Sequence, residues 1–328
     1  MTVRVLGAGV AGLTVAYELA RRGLSVEVVD RLSGPAQGCS HYAGGMLAPW
    51  CELESAEPLI ETLGIESLQF WRTHFTVAEQ GTLVVAQPRD TPDLKRFARR
   101  THNFEWVDGK RVAALEPDLA GRFTTGLFFD KEAHLDPRLV TAQLAHRLAH
   151  EMNVTFHFNT DAAQLSNAAD WTIDCRGLAA RDALSDLRPV KGEMLLLRSH
   201  EVSLARPVRM LHPRIPVYIV PRADHVFMVG ATMIENSEKG RVTARGVTEL
   251  INAAYALHPA FGEAEIVELG ADLRPAFPDH LPRLRTTGRT VYVNGLYRHG
   301  FLGAPALARR VAEFIQDGTN FPEVMRED

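Results

Sequence analysis

MTVRVLGAGVAGLTVAYELARRGLSVEVVD, residues 1–30, is the stretch that decides the fold of this chain. Apolar residues at 3–6 predict a short buried strand, and the turn GAGVAG (residues 7–12) leads into apolar residues at helical spacing. A second buried strand ends at Asp30, about 20 residues beyond the first glycine, where a carboxylate that binds a ribose diol is expected. This order of strand, glycine-rich turn, helix and strand is typical of a βαβ unit that binds a dinucleotide.

Each residue type in this first turn has a physical role in such a unit. Gly7 permits the tight turn, Gly9 lets a pyrophosphate approach the backbone, and Gly12 lets the helix pack closely on the strand. Val10 and Ala11 begin the helix, whose free N–H groups and dipole favour phosphate. The sequence therefore predicts a dinucleotide at the N-terminal end of this helix.

Length and composition restrict the remaining possibilities. The 328 residues are long enough for two domains, and the content of 46% hydrophobic and 23% charged residues is ordinary for a soluble globular protein. A net charge of −4 gives no reason to expect nucleic acid or an anionic membrane as a partner. The N-terminus enters a core strand at once, which leaves no room for a signal peptide, and the three cysteines lack zinc-type spacing. We expect a cytoplasmic enzyme or binding protein without a metal site.

The rest of the chain changes pattern several times. Mixed helices and strands follow residue 51, and a helix beginning at Pro137 is predicted to bury Leu139, Leu144 and Leu148. Short strands with turn residues between them dominate after Pro189, as in an antiparallel meander. A second strand, glycine-rich turn and helix follow near the C-terminus. The pattern predicts an α/β protein: a Rossmann-like nucleotide-binding domain plus a mixed, largely antiparallel α+β domain.

Seven blocks in a fixed order carry a resemblance to a known family, and together they span nearly the whole chain. The chain resembles the FAD-dependent D-amino-acid oxidase superfamily, and within it most closely the glycine oxidases that serve thiazole formation in thiamine biosynthesis. The blocks are GAGVAG (7–12), GGMLAP (44–49), PVKGEM (189–194), YIVPR (218–222), VGATM (229–233), LRPAFPD (273–279) and GLYRHGFLGAP (295–305).

The resemblance implies which residues contact FAD. Asp30 and Arg31 would lie at the adenosine ribose and Ala162 near the adenine, while the segment around Cys39–Met46 would wrap the cofactor. The second turn (Leu296–Leu302) would offer backbone N–H groups to the pyrimidine edge of the flavin. The implied cofactor residues are Gly7, Gly9, Val10, Ala11, Gly12, Asp30, Arg31, Cys39, Ser40, Gly44, Gly45, Met46, Ala162, Leu296, Tyr297, Arg298, His299, Gly300, Phe301 and Leu302.

The resemblance also implies a substrate site. Arg274 matches an arginine that pairs with the substrate carboxylate, and Tyr218 matches a tyrosine that donates to it. Arg298 would lie beside flavin and substrate, and Met233 would line a small pocket. Residue chemistry agrees, because a planar guanidinium can bind a carboxylate with two hydrogen bonds where lysine cannot. Three plainer interpretations stay open: a structural salt bridge for Arg274, a core position for Tyr218 and a phosphate contact for Arg298.

Four residues depart from the family pattern. His299 stands where a small polar residue is expected, and Gly303 where a leucine is expected. Cys39 and His41 are unusual in the segment that would wrap the cofactor. No cysteine follows Cys175, so the cysteinyl-flavin bond of the related sarcosine oxidases has no residue to form it in the C-terminal region. We therefore expect FAD to be bound non-covalently.

The implied reaction is oxidation of glycine to an imine, with oxygen as acceptor, release of hydrogen peroxide and use of the imine in thiazole formation. Alternatives are a sarcosine or small D-amino-acid oxidase, a non-catalytic flavin-binding redox module, and an NAD-dependent dehydrogenase, which would not need the second turn. A homo-oligomer is also expected. The predicted FAD domain comprises residues 1–50, 133–188 and 269–328, and the substrate domain comprises residues 51–132 and 189–268.

Overall fold

The computed structural model describes residues 1–165, 169–212, 216–235, 237–238 and 241–325. The strands in this part of the chain are β1 (Thr2–Leu6), β2 (Ser25–Val29), β3 (Met46–Leu47), β4 (Thr82–Ala86), β5 (Glu105–Asp108), β6 (Thr125–Phe129), β7 (Ala133–His134), β8 (Thr155–His157), β9 (Trp171–Asp174), β10 (Arg188–Arg198), β11 (Val208–Leu211), β12 (Val217–Pro221), β13 (Val226–Gly230), β14 (Glu265–Ala276), β15 (Arg283–Thr287) and β16 (Thr290–Asn294).

The α-helices of the same residues alternate with these strands. They are α1 (Val10–Arg21), α2 (Pro49–Glu52), α3 (Pro58–His74), α4 (Thr91–Arg100), α5 (Gly109–Leu115), α6 (Pro137–His150), α7 (Ala244–Leu257) and α8 (Gly300–Asp317). Short 3-10 helices occupy Cys39–Tyr42, Pro88–Asp90, Pro117–Leu119, Ala162–Gln164, Gly177–Asp182 and Pro259–Glu263.

The first sheet has six strands in the order β15-β16-β9-β1-β2-β8. The pairs β1–β2, β1–β9, β9–β16 and β2–β8 are parallel, and only β15 runs antiparallel to its neighbour. Because β1 lies inside the sheet, its residues Val3 and Val5 are completely buried. This sheet is the Rossmann-like unit that the first thirty residues predict.

Two helices from opposite ends of the chain pack together against this sheet. The apolar side of α1 contributes Leu13 and Ala16, and α8 contributes Leu307 and Val311 to the same buried cluster. Gly12 lies so close to the Gly7 carbonyl that a Cβ atom would overlap it. The close contact of helix and strand therefore depends on this glycine, as the sequence predicts.

The second sheet has eight strands in the order β14-β10-β13-β12-β11-β4-β6-β5. Its neighbours are antiparallel except β4 and β11, which pair in parallel across a long connection. The longest pairing joins β10 to β14, with Val190 opposite Arg274 and a register shift between Leu196 and Leu197. The prediction of a largely antiparallel second unit is confirmed.

The division into domains remains a prediction, and two elements bear on its boundaries. Helix α3 falls inside the predicted substrate segment, but its Leu63 and Trp71 pack in the core of the first sheet. Strand β14 begins before residue 269 and belongs wholly to the second sheet. The chain thus crosses between the two units more often than the predicted boundaries imply.

One predicted core position is wrong. Leu139 in α6 is 57% exposed, whereas Val140, Leu144 and Leu148 are buried. These three residues recur every four positions on one side of the helix, and Leu139 is about 100° away from that side. The prediction was right for Leu144 and Leu148, but it named Leu139 where Val140 is the buried residue.

Candidate functional site

A cavity of about 570 Å³ opens where strands of both sheets end. From the first sheet it is lined by Leu6, Val29 and Asn294, which are the last residues of three strands, and by residues that follow β9. From the second sheet it is lined by Tyr218 and Arg274. The carboxyl ends of parallel strands are the usual ligand site of such a sheet.

Two helix N-termini face this cavity. Helix α1 begins after Gly9, which caps it without a side-chain hydrogen bond, and the Val10 N–H donates to Ser40 Oγ at 3.1 Å. Helix α8 begins after His299, which also gives no side-chain cap. Both starts lie in the cavity lining. The positive ends of two helix dipoles, at helix starts that receive no side-chain cap from Gly9 or His299, favour an extended anionic ligand here.

The carboxylate of Asp30 holds the first turn in place. Its Oδ2 accepts the Ala8 N–H at 2.6 Å and its Oδ1 accepts the Leu32 N–H at 2.8 Å. Nearby, Arg31 and Asp161 form an exposed ion pair of 2.7 Å beside Ala162. The residues predicted for the adenosine end are thus neighbours, and the Asp30 carboxylate also has a structural role.

The cavity brings together every predicted site residue except Gly12, whose role is packing. The residues in the lining are Gly7, Gly9, Val10, Ala11, Asp30, Arg31, Cys39, Ser40, Gly44, Gly45, Met46, Ala162, Tyr218, Met233, Arg274, Leu296, Tyr297, Arg298, His299, Gly300, Phe301 and Leu302. They come from segments that are far apart in the sequence, and their individual roles remain predictions.

Arg274 crosses from β14 over a glycine on the neighbouring strand. Its guanidinium lies where a Cβ of Gly192 would be, and its Nη1 donates to the Thr232 carbonyl at 3.1 Å. Among the described residues, no carboxylate forms an ion pair with Arg274. A cationic group that lines a cavity and is anchored only by a carbonyl is suited to bind a carboxylate ligand.

Tyr218 is packed between two glycines. A Cβ of Gly44 would lie 2.8 Å from the ring atom Cε2, and a Cβ of Gly230 would lie 3.0 Å from the hydroxyl oxygen. Burial raises the pKa of the phenol, an effect that the nearby positive charges of Arg274 and Arg298 partly oppose. The hydroxyl therefore stays protonated at neutral pH and is available as a hydrogen-bond donor.

A partly buried cluster of charged and polar side chains lies beside these residues, and its members Glu52 and Arg209 were not predicted from the sequence. Glu52 Oε2 lies 2.8 Å from Arg298 Nη2 and 2.9 Å from His299 Nε2, and Glu52 Oε1 accepts from Arg209 Nη1 at 3.1 Å. Burial acts to raise the pKa of Glu52, but these three partners outweigh it and hold the pKa well below its ordinary value. Glu52 is therefore ionised at neutral pH.

His299 is the least expected member of this charge cluster. Burial lowers the pKa of its imidazole, although the bond to Glu52 opposes the shift. A neutral ring that donates from Nε2 to a carboxylate has a bare Nδ1, and His299 Nδ1 is buried without a hydrogen-bond partner among the described residues. The histidine thus links the start of α8 to Glu52 rather than being solvated.

At the mouth of the cavity two side chains contact a thioether. The Tyr297 hydroxyl donates to Met233 Sδ at 3.3 Å, and Arg298 Nη1 lies 3.9 Å from the same sulfur. Met233 remains 54% exposed, so it borders solvent instead of lying deep in a pocket. Tyr297 itself has a φ of +49°, a backbone conformation uncommon for a residue with a side chain.

The other departures from the family pattern have local explanations. Gly303 lies in the first turns of α8, where even a Cβ would come within 3.2 Å of Leu296 Cδ2, so the missing leucine would not fit without a shift. His41 lies 4.0 Å from Glu268 at the surface, and burial lowers its pKa. Cys39 and Cys175 both line the cavity, and neither forms a disulfide bond.

The residues of the cavity fit FAD. Gly44 and Gly45 leave no room for a Cβ, because Tyr218 crowds the first and the Leu135 carbonyl and Pro137 ring crowd the second. This tightly packed segment and the two helix starts line one cavity with N–H groups at both ends, as expected for a ligand with a pyrophosphate and a flat ring.

Two other classes of site are not found in the described residues. No group of three or more His, Cys, Asp or Glu side chains in these residues is arranged to hold a metal ion. Within the same part of the chain, no helix has the length and apolar composition needed to cross a membrane.

Known proteins similar to this chain match it almost from end to end. The chain is 53% identical to the putative thiamine biosynthesis oxidoreductase ThiO of Rhizobium etli, covering 98% of this chain and 99% of that protein. It is 27% identical to the bifunctional protein ThiO/ThiG of Trichormus variabilis, covering 97% of this chain and 53% of that longer protein. The crystal structure of glycine oxidase from Geobacillus kaustophilus has the same fold, with a TM-score of 0.86 at 23% identity over 99% of this chain and 98% of that one.

A family model described as FAD dependent oxidoreductase, DAO, matches residues 2–314. The match includes both glycine-rich turns, the whole first sheet and the strands that carry Tyr218 and Arg274. The chain therefore belongs to the DAO family of FAD-dependent oxidoreductases.

Proposed function

We propose that this chain oxidises glycine to its imine with FAD as cofactor and oxygen as acceptor, and that the imine is used for thiazole formation in thiamine biosynthesis. The 53% identity to a putative thiamine biosynthesis oxidoreductase supports the pathway, and the glycine oxidase fold supports the reaction. The family membership excludes the alternative of an NAD-dependent dehydrogenase.

The observation that carries the proposal is that Arg274 and Tyr218 line the same cavity. Both line the end formed by the second sheet, while the helix starts of α1 and α8 line the end formed by the first. A guanidinium and a protonated phenol suit the carboxylate of an amino acid. A non-catalytic flavin-binding module would need no such pair.

The chain's own residues can orient the substrate without supplying an acid or a nucleophile. Bound FAD would supply the redox chemistry, taking two electrons from the amine and passing them to oxygen. Arg274 and Tyr218 would fix the carboxylate, so that the Cα–H bond is presented in one orientation. Glu52 neutralises part of the charge of Arg298 and Arg209 beside that site.

A peroxide-coupled assay over glycine, sarcosine and a set of small D-amino acids tests the proposal. We expect the highest kcat/KM with glycine, and bleaching of the flavin spectrum when glycine is added without oxygen. A higher value with sarcosine or a D-amino acid would establish the alternative substrate class. Absence of bleaching with every amine would instead support a non-catalytic flavin module.

Substitution of Arg274 by lysine tests the carboxylate assignment. Lysine keeps the charge but not the two parallel N–H groups, so we expect KM for glycine to rise by about tenfold to a hundredfold with FAD still bound. Arg289→Lys is the matched control, because Arg289 is an exposed turn residue whose guanidinium donates to the Asp170 carbonyl. Unchanged kinetics in the Arg274 variant would mean that this arginine is structural.

Three further expectations belong to the same proposal. FAD is bound non-covalently, so acid precipitation of the protein leaves the flavin in the supernatant. The protein is a homo-oligomer, which light scattering of the purified holoenzyme measures directly. It acts in the cytoplasm, which fractionation of cells that make it at natural levels tests.

A further inference from the structure

A buried ion pair lies directly behind Arg274. Lys191 and Glu193 flank Gly192 on β10, their side chains are 1% and 0% exposed, and Lys191 Nζ lies 3.0 Å from Glu193 Oε1. Successive strand residues point to opposite sides, so both charges lie on the face that Gly192 does not share. Two fully buried charges are costly unless further hydrogen bonds satisfy them.

Glu193 makes those further bonds to two threonines. Its Oε1 accepts the Thr243 N–H at 2.8 Å, and its Oε2 accepts the Thr243 and Thr232 hydroxyls at 3.2 and 3.3 Å. Thr243 caps α7, so the carboxylate lies at the positive end of a helix. A Cβ at Gly246 in the first turn of α7 would overlap this carboxylate.

Thr232 connects this pair to the proposed substrate site. The Glu193 N–H donates to Thr232 Oγ1 at 2.9 Å, and the Thr232 N–H donates to the Glu193 carbonyl at 3.2 Å. The Thr232 hydroxyl also donates to the Glu193 carboxylate, so Thr232 is held through both its backbone and its side chain. Its remaining backbone group, the carbonyl, accepts from Arg274 Nη1 at 3.1 Å. The next residue, Met233, contacts Tyr297 at the cavity mouth.

We propose that Glu193 is a positioning residue, which with Lys191 fixes the Thr232 carbonyl and so orients the Arg274 guanidinium toward the substrate carboxylate. The inference deepens the proposed function, since it rests on Arg274 as the carboxylate-binding group. Glu193 acts through Thr232, because its fully buried carboxylate lies on the face of β10 opposite to the one that Arg274 covers. A bond to a neutral carbonyl restrains Arg274 without taking up its charge, which stays available for the substrate.

Two variants of the holoenzyme break this arrangement at different bonds. Glu193→Gln removes the charge at constant size, and Thr232→Val removes the hydroxyl while leaving the ion pair intact. Glu265→Gln is the control for the first variant, because Glu265 on β14 forms an exposed ion pair with Arg198 on β10. Thr248→Val, an exposed threonine bonded only within α7, is the control for the second.

The probe is acetate, which has the carboxylate but not the amine, titrated while the flavin absorbance is recorded. Losing a hydrogen bond to a charged group shifts binding by about tenfold or more, and we expect that rise in the acetate Kd for both variants. We also expect the KM for glycine to rise in parallel while kcat stays within about threefold, because the chemistry is untouched once substrate is bound. Both controls should match the wild type.

A purely structural pair gives a different result. It would lower the melting temperature of both variants but leave the acetate Kd within about twofold of the wild type, which would overturn the inference. If the Glu193 variant does not fold, the Thr232 variant decides alone. A wild-type enzyme that neither responds to acetate nor is bleached by glycine would overturn the proposed function itself, which separates that failure from this one.

Discussion

Arg298 Nη2 lies 2.8 Å from Glu52 Oε2 although the two residues are separated by most of the chain. Glu52 ends the short helix α2, and Arg298 lies in the second turn, immediately before α8. The same carboxylate binds His299 and Arg209, so one anion joins the second turn to β11 of the second sheet. The contact fixes the position of the second turn relative to the substrate end of the cavity.

Replacing Glu52 with glutamine should destabilise the fold. The variant leaves Arg209, whose side chain is 9% exposed, with less compensation, at a cost of about 3 kcal/mol. The folded pKa of Glu52 is depressed, so its contribution is complete above the ordinary value of 4.5 and is lost as the pH falls through the lower folded value. Denaturant unfolding from pH 7 downward should show the two proteins converging in acid. Glu79→Gln, in the surface pair with Arg72, should change little.

Replacing Glu132 with glutamine should have the opposite pH signature. Burial raises the pKa of this carboxyl to about 7 from an ordinary 4.5, so the folded protein holds the proton more tightly than the unfolded chain. The free energy of unfolding of the wild type should therefore fall by about 3 kcal/mol as the pH rises from 4.5 to about 7. The amide oxygen of glutamine can still accept the Trp50 and Cys51 N–H groups that Glu132 Oε1 now binds. Unfolding curves at several pH values check this, and a constant difference between the proteins would contradict it.

Replacing Gly192 with alanine should weaken carboxylate binding without unfolding the protein. The new Cβ would overlap the Arg274 guanidinium, which is the mobile end of a long side chain and can move away. We expect a KM for glycine raised by about tenfold or more, with a melting temperature close to that of the wild type. Gly34→Ala is the control, because the atoms nearest to its new Cβ belong to the side chain of Gln37. Equal KM values for the variant and the wild type would mean that the Arg274 guanidinium can be displaced without weakening carboxylate binding.

Replacing Asp30 with alanine should weaken FAD retention. The variant loses the predicted ribose contact and also the bond from the Ala8 N–H that holds the first turn. We expect the Kd for FAD to rise by about tenfold or more, measured by flavin release on dilution and by rebinding to the apoprotein. Asp93→Ala, in a surface pair with Arg96, is the control. A variant that keeps its flavin as the wild type does would limit Asp30 to a structural role.

Local patterns account for the parts of the fold and site that the sequence predicts. The βαβ unit, the packing role of Gly12 and the second turn before α8 all depend on residues within about thirty positions of one another. The resemblance then placed Arg274 and Tyr218 in the same site, and both line the cavity. Motifs in a fixed order carry such information because each block occupies a fixed place in the fold.

Contacts between distant residues account for what the sequence does not predict. Glu52 pairs with Arg209 and His299, at separations of 157 and 247 residues, and no periodicity records such a pairing. The available signal was weak: Glu52 is an acidic residue that follows the apolar run MLAPWC. Lys191 and Glu193 lie within the block PVKGEM, but alternation along a strand does not show which face of the sheet is buried, so their ion pair could not be predicted.

The first sheet also constrains when the protein can first hold its cofactor. Strand β1 pairs with β9, and β9 pairs with β16, so residues 2–6 and 290–294 belong to one continuous ladder. The start of α8 is anchored by Trp71, whose Nε1 donates to the Phe301 carbonyl at 2.7 Å. A nascent chain that has not emerged past residue 302 lacks one wall of the cavity. The complete cavity therefore forms only after both ends of the first sheet have been synthesised, so a truncated chain that ends before α8 should not retain flavin.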